Sequence, residues 1–345
     1  SGERTITNDQ GMVVLETLRR ETGWGRQTLP TNHGRGIAIR CSHIGQGKTE
    51  IALKLLEDGH IELLYGTPDQ GAGSLTVVRR VAAAALSVKP ERIIVRYGTT
   101  AEAPFDAEGA GASRVTHVAG RATAAGAARL KERLEQLAAE FMGWPEGKVR
   151  LEDDRFCVDG GEEPASFEQV AERITRGGRQ VTAKGAYDSS VDMGEDPLPF
   201  CGYVIEVRVD PESGCVEIVD VVMAADVGTV INPIAHQGQL EGAFVFGLSS
   251  AMMEELTLED GRPTVSNLND YKLPTLPDVP RLRTILVPAE SGPGPFGAKS
   301  VGELANGGVA PAIANAVYAA TDGQVRTLPI TAERVRAAMR EAASH

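Results

Sequence analysis

Residues 49–66 (TEIALKLLEDGHIELLYG) alternate apolar and polar side chains on both sides of Glu57-Asp58-Gly59. An Asp-Gly pair between two alternating runs is a strong hairpin signal, because Gly supplies the positive φ that a tight turn needs. A second unit of this kind follows at 203–209 and 216–223, joined by Asp210-Pro211-Glu212-Ser213-Gly214. Helix-period segments stand between and around the hairpins. Residues 12–20 (MVVLETLRR) form a short amphipathic helix, and 74–87 carry Val77, Val78, Val81, Ala84 and Ala85 on one side. An Ala-rich stretch at 121–141 keeps Leu130, Leu134 and Leu137 in register and stops at Gly143-Trp144-Pro145. Further helices are predicted at 167–175, 239–253, 310–321 and 332–343, and strands at 36–41 and 92–97. Hairpins and helices mix without strict alternation, which predicts an α+β fold.

A chain of 345 residues is long enough for two domains and a sizeable core. The polar, Pro-containing stretch 185–199 is the natural boundary, or a substrate-channel loop, giving domains at 1–190 and 191–345. Residues 261–280 read as a long turn-rich connection and 292–302 as a Gly/Pro loop. A net charge of −12 disfavours nucleic acid as a partner, since phosphate binding needs clustered Lys and Arg. No run approaches the ~18 apolar residues that a membrane span requires. Residues 1–7 are polar, without the apolar core of a signal peptide, so a cytoplasmic setting is expected. The cysteines, Cys41, Cys157, Cys201 and Cys215, form no CxxC pair and have no His at zinc spacing. They are expected to be buried or half-buried thiols in a reducing compartment, with no protein-ligated metal.

Gly45-Gln46-Gly47-Lys48-Thr49 imitates half of a P-loop. The full pattern needs Gly at 42, where Ser42 stands, and a helix next, where an alternating strand follows. The segment is therefore expected to be a loop between strands, and an ATP-binding enzyme is disfavoured. The strongest chemical signal is Gly294-Pro295-Phe296-Gly297-Ala298-Lys299-Ser300-Val301-Gly302-Glu303, before the Ala-rich helix. Glycines let backbone approach a ligand closely, and a carboxylate at the end of such a loop can serve as a general base.

This segment closely resembles the GAKGxGE stretch of the xanthine dehydrogenase and aldehyde oxidase family, and Leu328-Pro329-Ile330-Thr331-Ala332-Glu333-Arg334-Val335 resembles that family's closing segment. Agreement continues in order through Asp226-Val227-Gly228, Ile231-Asn232-Pro233, Gly238-Gln239-Leu240-Glu241-Gly242 and Asn269-Asp270-Tyr271-Lys272-Leu273-Pro274. It covers nearly the whole chain, but only the C-terminal half of the family's large subunit. The resemblance implies the two-domain, molybdenum-cofactor-binding half of a molybdenum hydroxylase. Glu303 would be the catalytic base beside the molybdenum. Gly71, Ala72, Gly73, Ala112, Ser113, Arg114, Gln239 and Gly302 would contact a molybdenum–molybdopterin cofactor, the cytosine dinucleotide being one form of it. The metal would be held by the pterin rather than by side chains.

Ala72 stands where the family usually has glutamine, which puts one cofactor hydrogen bond in doubt unless Gln70 replaces it, and Ser300 stands where glycine is usual. The family's upstream half, with its Phe-bearing glycine loop and its substrate-shaping Arg/Glu region, has no counterpart here. The resemblance therefore implies a second molybdopterin-binding polypeptide that supplies the N-terminal half, as in a split subunit of the nicotinate dehydrogenase type. It also implies partner subunits carrying [2Fe-2S] and FAD. Substrates would be small molecules with an electron-poor C–H carbon: an N-heteroaromatic such as nicotinate or purine, or an aldehyde. A non-catalytic scaffold subunit of the same fold is the alternative, and retention of Glu303 and Gln239 counts against it.

Overall fold

The computed structural model describes residues 10–67, 69–106, 108–191, 198–289 and 292–344. Helix α1 (Gln10–Thr22) leads into strand β1 (His33–Cys41), whose hydrogen-bonded partner comes from much later in the chain. The Asp58-Gly59 hairpin forms as the sequence predicts. Strands β2 (Lys48–Leu55) and β3 (Ile61–Tyr65) pair antiparallel, with Leu55 opposite Ile61 and Gly59 at φ 84° in the turn. Helix α2 (Ser74–Leu86) then returns the chain so that β4 (Ile93–Tyr97) lies parallel to β3.

The long helix α3 (Gly120–Met142) is followed by a meander of β5 (Val149–Glu152), β6 (Arg155–Val158) and β7 (Glu162–Ser166), then α4 (Phe167–Arg176) and β8 (Thr182–Asp188). Ser166 and Gln169 cap α4 reciprocally, which fixes where that helix begins. Strand β8 closes the first four-stranded sheet, ordered β4-β3-β2-β8. Ile51, Leu53, Ile61 and Leu63 from this sheet share one core with Val78 and Ala82 of α2 and Leu130 and Leu134 of α3. Helix α3 crosses β8 so closely that a Cβ at Gly185 would sit 1.9 Å from the Ala122 carbonyl oxygen.

The second sheet is ordered β1-β9-β10-β13, from β9 (Phe200–Val209), β10 (Val216–Asp226) and β13 (Leu282–Val287). Between β10 and β13 lie α5 (Pro233–Met252) and a two-stranded ribbon, β11 (Leu258–Glu259) with β12 (Arg262–Pro263). Helices α6 (Val309–Thr321) and α7 (Ala332–Ala342) end the fold. The sequence predicts alternating burial for β9, yet residues 201–207 are all buried. Both faces of the strand are covered, which favours a continuous apolar run. Val204 packs with Val14 and Leu18 of α1, while Tyr203 and Ile205 pack with α5 and α6.

A cut at 190/191 separates the two sheets except for α1 and β1. These belong with the second sheet, because β1 pairs along its whole length with β9, Ile37 opposite Val204. Part of the expected boundary loop, residues 192–197, lies outside the described residues. Strand β13 was not legible as a separate element; it follows the turn-rich stretch and pairs parallel with β10. The thiols differ from expectation as well. Cys201 is buried and Cys157 half-buried, but Cys41 and Cys215 are exposed, at a strand terminus and just after the Asp210–Gly214 turn. Burial pushes the Cys201 thiol up to about 12. No helix among the described residues is long and apolar enough to cross a membrane.

Candidate active site

A cavity of about 520 Å³ opens where the two sheet units meet. Three segments distant in sequence form its walls: residues 110–113 with 115 and 116, one face of α5, and the end of the glycine loop at 301–303 with Asn306. Gln70 and Ala72, just ahead of α2, complete it.

The glycine loop is fixed from below. Lys299 Nζ donates to Asp226 Oδ2 at 2.6 Å, and both side chains are fully buried. The Lys299 amide donates to the Val227 carbonyl, and Thr229 Oγ1 donates to the Phe296 carbonyl. The loop is thereby tied to the end of β10. At its far end Arg40, from β1, donates to the Glu303 carbonyl and to Asn306 Oδ1. The facing turn at 111–114 is left-handed at two successive non-glycine residues, Ala112 (φ 53°) and Ser113 (φ 57°). That conformation aims the Ala112 amide at Glu303, whose Oε2 accepts from it at 2.8 Å. Ser113 Oγ accepts from the amides of Val301 and Gly302, at 3.1 and 3.4 Å.

Helix α5 starts at Pro233, with Asn232 Oδ1 capping the Ala235 amide. Asn232, His236, Gln239, Ala243 and Phe246 follow one another at three- and four-residue steps and line the cavity together. Burial lowers the affinity of His236 for a proton, against a smaller opposite effect of the Asn232 carbonyl, and so favours neutral imidazole. A side chain at 302 would enter the cavity: its Cβ would lie 3.3 Å from Gln239 Oε1 and 3.9 Å from Ser113 Oγ. Only glycine leaves that space to a ligand.

Six of the nine residues expected to act at the site therefore face this cavity: Ala72, Ala112, Ser113, Gln239, Gly302 and Glu303. Gly71 and Gly73 do not line it. Their amides donate to Asp69 Oδ1, which caps the approach to α2 from within the chain. Arg114 does not line it either. Its side chain is 3% exposed, paired with Asp106 and bonded to the carbonyls of Gln46, Lys48 and Gly109. Gln70, beside the alanine that replaces the usual glutamine, does face the cavity. Sequence reasoning missed Asn232, His236, Phe246 and Asn306. The helical spacing counted from Gln239 would have found the first three.

The P-loop imitation is a strand lead-in, since Lys48 begins β2 and no helix follows to present amides to a phosphate. Thr49 instead donates to Asp106, which also accepts from Thr67 and Arg114. Burial alone would raise the Asp106 pKa, but the hydrogen bonds of Thr67, Thr49 and Arg114 outweigh it and hold the carboxyl below its usual range. A depressed folded-state pKa stabilises the fold above the unfolded value of roughly 3.9, and that contribution is lost as pH falls through the folded value. Asp106→Asn is therefore expected to lower the urea midpoint most above about pH 5, with a gap from parent that narrows towards pH 3. A constant gap across that range would contradict this electrostatic role.

Residues 13–280 match the molybdopterin cofactor-binding domain family. The chain belongs to this family, the molybdenum-binding subunits of the xanthine dehydrogenase and aldehyde oxidase type. It is 32% identical over 313 residues to the probable hypoxanthine oxidase XdhD of Escherichia coli (strain K12), covering 89% of this chain and 32% of the relative. It is 28% identical over 339 residues to the 6-hydroxypseudooxynicotine dehydrogenase complex subunit gamma of Paenarthrobacter nicotinovorans, covering 93% of this chain and 41% of that one. The fold superposes on quinoline 2-oxidoreductase from Pseudomonas putida 86 with a TM-score of 0.80 at 24% identity, over 96% of this chain and 45% of that structure. The chain thus spans less than half the length of each of these proteins.

Proposed function

We propose that this chain is the molybdopterin-binding part of a molybdenum hydroxylase that oxidises an electron-poor C–H carbon of a small molecule, with Glu303 as its general base. The observation that carries the reading is the convergence of Glu303, Gly302, Gln239 and Ser113 on one cavity walled largely by small residues. The cradle above Gly302 fits a flat, hydrogen-bonding group such as a pterin, with Gln239 and Ser113 as its polar contacts. When bound, that group supplies the two-electron chemistry, and the protein supplies orientation and proton handling.

Glu303 is suited to proton handling because Ala112 N–H donates to Oε2 and holds the carboxyl group in place at the cavity wall. Oε1 takes no hydrogen bond among the described residues and can receive a proton. N-heteroaromatics such as nicotinate or purine, and aldehydes, are the substrate classes in view, and the pterin can be the cytosine dinucleotide form.

Partners form part of the proposal. A second molybdopterin-binding polypeptide would cover the outward face of α5, where Ile234 is 84% exposed, and the open rim of the cavity at Phe246, which is 63% exposed. Iron–sulfur and FAD subunits would carry the electrons away. A cytoplasmic setting suits four free thiols.

Gly302→Val tests cofactor occupancy directly. Its backbone φ is −52°, so the substitution adds no left-handed strain, while its branches enter the cradle. The purified assembled enzyme is expected to keep its thermal midpoint and to lose most of its molybdenum. Molybdenum at the parent level would refute binding at this cavity.

A further inference from the structure

Ala112 and Ser113 both hold left-handed conformations, which are unfavourable for non-glycine residues. Such a turn persists only where its surroundings over-determine it. Here the surroundings are the glycine-lysine-threonine segment and one buried ion pair. The Ala112 carbonyl accepts from the Gly45 amide at 2.8 Å. Arg114, the last residue of the turn, donates from its guanidinium to the Gln46, Lys48 and Gly109 carbonyls and to both oxygens of Asp106. Asp106 in turn holds the hydroxyls of Thr49 and Thr67. A Cβ at Gly45 would lie 2.6 Å from Arg114 Cβ, so the two segments pack backbone to side-chain stem.

We infer that Arg114 and Asp106 are a positioning pair for Glu303. They clamp residues 45–49 against the 111–114 turn, so that Ala112 N–H and Ser113 Oγ present fixed atoms to the Glu303 carboxylate and to the Val301 and Gly302 amides. The pair touches neither the cavity nor any reacting atom. The inference rests on the reading of Glu303 as base, and it gives the P-loop imitation a role.

The test is the double variant Asp106→Leu with Arg114→Met in the assembled enzyme. Replacing a buried ion pair by apolar groups of similar volume is often neutral for stability. Here, however, it unties three carbonyls from the turn. The expected result is a lowered thermal midpoint in an enzyme that still folds with molybdenum content near parent, faster amide hydrogen exchange in peptides covering 110–116 and 299–306, and a kcat lower by about 10- to 100-fold with KM little changed. Parent kcat and parent exchange in the folded, molybdenum-loaded double variant would overturn the inference.

If the double variant does not fold, Arg114→Lys carries the same test, because a cation stays opposite Asp106 while the fork to the Gln46, Lys48 and Gly109 carbonyls is lost. A fall in kcat at unchanged molybdenum content, with faster exchange at 299–306, supports the positioning role, and unchanged kcat overturns it. Glu303→Gln measured alongside separates the two claims. Parent activity in that variant removes the base itself, whereas its loss together with parent behaviour of the Arg114 variants removes only the clamp.

Discussion

Glu303→Gln is expected to lower turnover by roughly 10²–10⁴-fold while molybdenum and pterin content stay at the parent level. Glutamine keeps the shape of the side chain and still offers a carbonyl oxygen to the Ala112 amide, so the contact at 2.8 Å can persist. What it loses is the negative charge and the capacity to take up a proton. No other carboxylate lines the cavity among the described residues, and His236 stands on the α5 wall rather than on the Ala112 turn that holds Glu303. Gln239 and Ser113 do not act as bases near neutral pH, and Asn306 is an amide. Steady-state kinetics and metal analysis on one preparation check the expectation. Loss of cofactor together with activity would assign Glu303 to binding instead. Parent turnover would remove it from the chemistry and leave a scaffold of the same fold.

The largest stability effect is expected at Lys299. Its ammonium and the Asp226 carboxylate are both wholly inaccessible to solvent and lie 2.6 Å apart. Such a pair contributes little net stability over an apolar pair, but removing one partner strands the other charge. Among the described residues, Lys299→Met would leave Asp226 with only the Gly228 amide at 3.2 Å, a partner too weak to offset a buried carboxylate. The expected loss is about 3–5 kcal/mol by denaturant unfolding. Adding Asp226→Leu should recover much of it, because the stranded charge is then gone. The glycine loop is stitched to β10 through this pair and through Lys299 N–H, so cofactor retention should fall with stability in the single variant. A single-variant loss under about 1 kcal/mol would mean that water reaches Asp226 and that the loop is anchored elsewhere.

Local chemistry made much of the fold legible. The Asp58-Gly59 turn, the Leu130-Leu134-Leu137 register and the Gly143 stop each sit where the sequence places them, because backbone preference and burial agree at those points. The illegible parts depend on distant chain. Nothing in His33–Cys41 announces that its partner is β9, since a strand's neighbour is decided by which apolar face remains uncovered after the rest has packed. The same holds for β13, whose short run follows a turn-rich stretch.

At the site, Glu303, Gly302, Gln239 and Ser113 were readable as a set only through family resemblance, because physical reasoning on one glycine loop cannot distinguish a base from a helix cap. The resemblance also put Arg114 among the cofactor contacts, and its side chain does not line the cavity. Its position beside Ser113 suggested the cofactor, while its 3% exposed side chain serves the chain behind it. His236 escaped notice because a lone histidine in an apolar helix carries no signal until its neighbours at helical spacing are seen to share a wall.

The most direct measurement is anomalous scattering at the molybdenum edge from crystals of the assembled enzyme. The account places the anomalous peak within the cavity bounded by Ala112, Gln239, Gly302 and Glu303, with the Glu303 carboxylate turned towards it. A peak outside that cavity, or a Glu303 side chain turned to bulk water, would contradict it.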